Sequence, residues 1–351
     1  MNELEHSRTA GGVLLSVDEL TVSYPLRSSG GSRTTGGRTV AVNRLSFDVG
    51  AGETLALVGE SGCGKSTIAL AVAGLLEMSG GRVDGGSLRL RERELLGLAE
   101  KDWSKIRGSE VSMIFQHPMS SLNPSHRVGS QIAESLLLHR VATRATARRR
   151  TLELLDLVGF GEPARVAGQF PHELSGGMRQ RVMIAIAISC EPSLLIADEP
   201  TTSLDVTLQA QILDLLSNLR RTLDMSLLLI THDLGVVAEM ADRVVVLYAG
   251  ELAETAPTQQ LLSSPEHPYT DALIRSVPTI RGQLRQLEAI PGTVPQHPEA
   301  MHGCRFAPRC PRAFDRCSNV HPPVYTITES QSARCFLHAT DHDEVAEATN
   351  Q

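Results

Sequence analysis

The stretch Gly59-Glu60-Ser61-Gly62-Cys63-Gly64-Lys65-Ser66-Thr67 limits the fold more than any other part of this 351-residue chain. It fits the phosphate-loop pattern G-x-x-x-x-G-K-[ST], which has chemical meaning only between a strand and a helix. The flanks supply both: Thr54 to Val58 is a short apolar run of strand length, and Ser66 to Leu76 has helical composition. Glycines let backbone N–H groups turn inward onto phosphate oxygens, and the helix N-terminus adds the positive end of its dipole. Gly59, Ser61, Gly62, Cys63, Gly64, Lys65, Ser66 and Thr67 are therefore the expected cradle for nucleotide phosphates. Lys65 is expected to reach the β- and γ-phosphates, and the Ser66 hydroxyl to ligate Mg²⁺. Cys63 occupies a variable position of the loop and is read as filling space.

A second motif follows downstream. Leu194-Leu195-Ile196-Ala197-Asp198-Glu199 reads as a buried strand ending in two carboxylates, at the sheet edge where open α/β folds bind ligands. Two acids there call for a cation or a reaction. Asp198 is placed to hold Mg²⁺ through water, and Glu199 is free to accept a proton from attacking water. Leu227 to Ile230 and Val244 to Leu247 are further strand-length runs, separated by helical stretches such as Leu208 to Leu219. This alternation predicts an α/β fold with a mainly parallel sheet covered on both faces. Val13 to Tyr24 and Val40 to Val49 alternate as strands around a Ser/Gly-rich loop from Arg27 to Gly37, and Ser130 to Val182 reads as a helical insert.

The apolar runs stay far short of the 18 or so residues a spanning helix needs, and Met1 to Ala10 lacks the apolar core of a secretory signal. A cytosolic chain is expected. A net charge of −7 gives no general attraction to nucleic acid, and the basic run Arg144 to Arg150 reads as a solvated helix face.

Leu174-Ser175-Gly176-Gly177-Met178-Arg179-Gln180 resembles the signature segment of the ABC ATPase family, which phosphate-loop proteins in general lack. The resemblance covers about residues 13 to 260. It implies a RecA-like core with an antiparallel β subdomain and a helical subdomain at about 117–182. It also makes Tyr24 the adenine-stacking aromatic, Gln116 the Q-loop glutamine that shares Mg²⁺ with Ser66 and Asp198, Ser203-Leu204-Asp205 the D-loop, and His232 the switch histidine. In that family Ser175, Gly176 and Gly177 of one chain face the ATP held by another. A second ATPase chain is thus implied, together with two permease subunits and an extracytoplasmic solute-binding protein, at the cytoplasmic face of a membrane.

Glu266-His267-Pro268-Tyr269-Thr270 resembles the start of the C-terminal extension of peptide-importer ATPases, and Gln116 to Pro124 resembles their extended Q-loop. The resemblance implies dipeptide or oligopeptide import, with a nickel or other small-solute importer as the alternative, and pairing with a paralogous ATPase. Soluble ABC ATPases of DNA repair or translation differ by a long coiled coil or a second cassette, and this chain has neither. Beyond about Gln260 prolines recur and periodicity fades, which predicts a small irregular unit over 261–340 and a disordered tail over 341–351. Cys304, Cys310, Cys317 and Cys335 crowd there. Four thiolates without histidine suit an iron–sulfur cluster or zinc, with free thiols as the third possibility. The family resemblance implies a [4Fe–4S] cluster, acting as a staple for a unit with little core. His302, His321 and His338 read as surface histidines.

Overall fold

The structure, a computed structural model, describes residues 12–26, 37–116, 121–202, 204–276, 290–295 and 297–339. The N-terminal decapeptide, most of the Ser/Gly-rich loop, Ser203 and the predicted tail over 341–351 lie outside these residues.

Two sheets form among the described residues. The larger contains β3 (Thr54–Val58), β6 (Val111–Ile114), β7 (Leu194–Asp198), β8 (Ser226–Ile230), β9 (Arg243–Tyr248), β10 (Glu251–Pro257), β11 (Tyr325–Thr328) and β12 (Gln331–Ala333). Its order is β11-β12-β10-β9-β3-β8-β7-β6. β3 runs parallel to β8 and β9, and β7 runs parallel to β6 and β8. These central strands are continuous apolar runs because both faces are covered, so no alternation is required of them. Every residue of β3, β7 and β8 is buried.

The smaller sheet is antiparallel, in the order β2-β1-β4-β5, with β1 (Val13–Pro25), β2 (Arg38–Gly50), β4 (Arg82–Leu90) and β5 (Arg93–Glu94). Leu15, Val17, Leu20 and Val22 of β1 and Val42, Leu45, Phe47 and Val49 of β2 share one core with the helix Lys65–Val72 and one face of β3. A second core joins the other side of the large sheet to the helices Val128–Leu138, Ala147–Leu157 and Gly176–Ala187. The basic run starts in the turn before the helix Ala147–Leu157 and ends in its first turn, where Arg148 and Arg149 are exposed and Arg149 and Arg150 pair with Glu153.

The chain beyond residue 260 departs from the expected separate unit. Its apolar side chains sink into a core made with the main sheet: Leu261, Tyr269, Leu273 and Phe306 pack with Val244, Val246 and Tyr248 of β9 and with Ala253 and Ala256 of β10. β12 then pairs with β10 and extends the sheet. A segment with few apolar residues gains burial by borrowing a sheet edge and face, which a small independent core would not supply. No helix among the described residues is long and apolar enough to cross a membrane.

Candidate functional site

β3 delivers the phosphate loop to the start of the helix Lys65–Val72. That helix begins at Gly64 with no side-chain cap and no acidic residue in its first turn. Its leading N–H groups therefore lack an intrahelical partner and suit an anion. Gly64 has φ +102°, and a Cβ there would lie 2.7 Å from the Ala41 carbonyl oxygen. Only glycine fits both the backbone angle and the space. Lys65 is buried, and its Nζ donates to the carbonyl oxygens of Gly59 (2.6 Å) and Glu60 (3.0 Å). The ammonium thus lies across the mouth of the loop, with Ser61 and Ser66 exposed beside it. Cys63 is buried as expected, and burial pushes its thiol up.

Asp198 ends β7 with its carboxylate facing the loop, and the Ser66 hydroxyl donates to its Oδ1 at 3.3 Å. Burial raises the Asp198 pKa, and neighbouring Glu199 adds to that while Ser66 and Lys65 oppose it. Two protein oxygens beside a phosphate cradle fit Mg²⁺, a hard ion that commonly takes one or two protein ligands and completes its shell with phosphate and water.

Glu199 has φ +47°, a left-handed conformation that is costly for a residue with a Cβ. Its N–H donates to the Ile230 carbonyl (2.8 Å), so the strained turn is locked to β8. Three side chains then hold its carboxylate. Oε2 accepts from Gln116 Nε2 (2.7 Å) and from Thr202 Oγ1 (2.8 Å), while Oε1 lies 3.0 Å from His232 Nδ1. Partial burial raises the Glu199 pKa, but the contacts from His232, Thr202 and Gln116 outweigh it and hold the carboxyl below its ordinary value. The result is a carboxylate fixed in its ionised form just beyond the C-terminal end of β7. Thr202 is the member that sequence reasoning missed; its signal is the spacing of three residues after a turn-forming acid.

The remaining predicted residues stand apart from this cluster. Ser175 caps the helix Gly176–Ala187 by accepting from the Met178 N–H (3.4 Å), which leaves Gly176 and Gly177 in the first turn. No hydrogen bond or ion pair among the described residues joins this segment to the phosphate loop. Asp205 caps the helix Val206–Thr222 through the Leu208 N–H (3.0 Å). Tyr24, half-buried near the end of β1, has its hydroxyl 3.3 Å from Ser79 Oγ.

The four clustered cysteines do converge: Cys304, Cys310, Cys317 and Cys335 line one small cavity with His267, Pro268, Phe306 and Phe336. The expected metal centre is nevertheless not supported. Among the described residues no three His, Cys, Asp or Glu side chains come together closely enough to hold a metal ion. The cavity wall is largely apolar, and burial pushes the thiols of Cys304 and Cys335 up to about 11. The iron–sulfur assignment and its zinc alternative are therefore corrected to four free thiols. His321 and His338 are not idle surface residues either, since they bond Glu251 and the Glu266 carbonyl.

Comparison with known proteins agrees with the geometry of the nucleotide loop. The ABC transporter family profile matches residues 42–202, and that of the oligopeptide/dipeptide transporter C-terminal region matches residues 253–317. The oligopeptide transport ATP-binding protein AppD of Bacillus subtilis is 52% identical over 85% of this chain and 91% of its own length. The dipeptide transport ATP-binding protein DppD of Escherichia coli is 44% identical over 93% of this chain and 98% of its own. Among solved structures, a bacterial ABC transporter cassette determined as a dimer superimposes with a TM-score of 0.60 and 25% identity, covering 70% of this chain and 98% of that one. Its fold and its relatives place this chain in the ABC transporter ATP-binding family, in the group of oligopeptide and dipeptide transport ATP-binding proteins.

Proposed function

We propose that this chain hydrolyses ATP to power an ABC importer of oligopeptides or dipeptides. The observation that carries the reading is that the uncapped helix start bearing Lys65 and Ser66 is joined through Ser66 to Asp198, next to a Glu199 carboxylate held by Gln116, Thr202 and His232. The transported solute follows from the relatives, whose names specify oligopeptide and dipeptide transport. In this reading the chain works at the cytoplasmic face of the membrane with two permease subunits, an extracytoplasmic binding protein and a second, paralogous ATPase. Residues 13–260 form the nucleotide-binding portion, with a helical subdomain at about 117–182, and residues 261–340 form an extension packed against it.

Gly59, Ser61, Gly62, Cys63, Gly64 and Thr67 shape the cradle, Lys65 binds phosphate oxygens and Tyr24 stacks on the adenine. Ser66, Gln116 and Asp198 would hold Mg²⁺, which when bound neutralises charge on the phosphates. Glu199 accepts the proton of the attacking water, while His232 and Gln116 fix the direction of its oxygens. Ser175, Gly176 and Gly177 present their helix N-terminus to ATP on the other ATPase chain, with Asp205 at the same interface. A related cassette has been solved as a dimer in a post-hydrolysis state with ADP and Pi, which supports a shared site. The test is phosphate release by the assembled complex with Lys65→Ala: binding and turnover should fall together, because a charge-assisted phosphate contact is lost. Unchanged ATP affinity would contradict the reading.

A further inference from the structure

The phosphate loop is held from behind by residues that neither the ATPase motifs nor the proposed chemistry use. Glu60, its second residue, is gripped from two sides by the chain beyond residue 260. The hydroxyl of Tyr269, a fully buried side chain, accepts the Glu60 N–H at 2.9 Å. Arg309, whose side chain is only 5% exposed, forms a two-pronged ion pair with the Glu60 carboxylate, Nη1 to Oε2 at 2.7 Å and Nη2 to Oε1 at 3.0 Å. The guanidinium is itself fixed, since Nε donates to the Pro291 carbonyl at 2.8 Å and Nη1 to the Tyr248 hydroxyl at 3.2 Å. Tyr248, Tyr269 and Phe306 pack ring against ring around it.

The consequence follows from peptide geometry. The Glu60 N–H and the Gly59 carbonyl belong to one planar trans peptide and point in opposite directions. Tyr269 holds the N–H end of that plane, and the carbonyl end accepts Lys65 Nζ at 2.6 Å. The Glu60 carbonyl, on the next peptide, accepts the same ammonium. Rotating either peptide would move the groups that hold Lys65 over the loop. With both ends of that peptide held, the loop has less rotational freedom to lose when nucleotide binds.

We infer that Tyr269 and Arg309 are positioning residues for ATP binding, acting through Glu60 on the peptides that hold Lys65. The C-terminal extension thereby sets the affinity of the phosphate loop, a role for its His-Pro-Tyr segment separate from contact with any transported solute. This inference rests on the assignment of residues 59–67 as the ATP site.

The test is calorimetric titration of the full chain with Mg-ATP. Tyr269→Phe keeps the ring and deletes one hydrogen bond, so the Kd should rise about 5-fold. Arg309→Met removes a charge-assisted pair and should raise it about 10-fold. Combined with Glu60→Gln, Arg309→Met should add little to the effect of Glu60→Gln alone, because both act through one contact. A purely structural role for Arg309 would instead give additive penalties in that cycle, and this would overturn the inference. So would a Kd for Tyr269→Phe within about twofold of the unsubstituted chain, whatever Arg309→Met does to folding. Lys65→Ala separates the two levels: if it fails to weaken binding, the ATP site itself is misassigned. If it weakens binding while Tyr269→Phe and Arg309→Met do not, the site stands and the brace falls.

Discussion

Replacing Glu199 with Gln isolates its proposed role as general base from the architecture around it. The amide can adopt only one orientation without conflict. Oε2 already accepts from two donors, Gln116 Nε2 and Thr202 Oγ1, so the amide oxygen must take that place. The amide NH₂ then faces His232 Nδ1, 3.0 Å away in the present structure. The neutral imidazole can accept there if its proton sits on Nε2, and the ring is 65% exposed and has room to adjust. The left-handed backbone at residue 199 is equally available to Gln. Folding should therefore change by no more than about 1 kcal/mol, the value of one rearranged hydrogen bond. Turnover should fall by the ~10²- to 10⁴-fold that general base catalysis supplies. That corresponds to about 2.7–5.4 kcal/mol of activation free energy. The assay is phosphate release at saturating ATP in an assembly whose second site carries the matching change, with ATP binding and melting temperature measured alongside. Turnover within about an order of magnitude of the unsubstituted assembly, with ATP bound, would refute the assignment of Glu199 as the base.

Two other predictions follow from the same geometry. Because no hydrogen bond or ion pair among the described residues joins Ser175 or Gly177 to the phosphate loop of their own chain, specific activity of the isolated chain should rise with concentration, and Ser175→Arg should lower hydrolysis while sparing ATP binding; a concentration-independent rate from a demonstrated monomer would exclude the composite site. Glu251 joins β10 to Asn43, Arg305 and His321. Burial raises its pKa, but His321, Arg305 and Asn43 outweigh burial and leave it lowered. Its folded value thus lies below the unfolded one of about 4.3, so its stabilisation is complete above that value and is lost as pH falls through the folded pKa. Glu251→Gln should lower the melting temperature at neutral pH and shrink the further loss on acidification below about pH 5, whereas an unchanged acid profile would remove this carboxylate from the account.

The nucleotide loop and the acidic strand end were legible in the sequence because each is a local pattern. Gly59 to Thr67 carries its own turn chemistry, and Asp198 and Glu199 follow directly from the apolar strand that positions them. The hold on Glu60 was not legible, since Tyr269 stands 209 residues away and reaches it only after the chain has wrapped across β9 and β10. Prolines and lost periodicity after residue 260 suggested a separate unit. They report backbone irregularity, however, and not where Tyr269 and Phe306 bury their rings. The cysteines mark a related limit. Their crowding near the C-terminus suggested that four thiols would gather, but Phe306 and Phe336, each close to a cysteine in sequence, line the same cavity, and sequence alone does not show which way an aromatic ring turns. Thr202 escaped notice because a threonine in a turn is common, and its hydroxyl matters only once Glu199 has adopted its left-handed backbone.

The central claim is that ATP hydrolysis at this loop drives peptide uptake. The most direct measurement is accumulation of a radiolabelled dipeptide or oligopeptide by lipid vesicles containing the complete complex, with its binding protein outside and ATP enclosed. The account predicts uptake that requires enclosed ATP, falls to background with Lys65→Ala in this chain, and is strongly reduced with Glu199→Gln. Peptide accumulation that persists undiminished when Lys65 is replaced, or ATP hydrolysis that never moves a peptide, would contradict it.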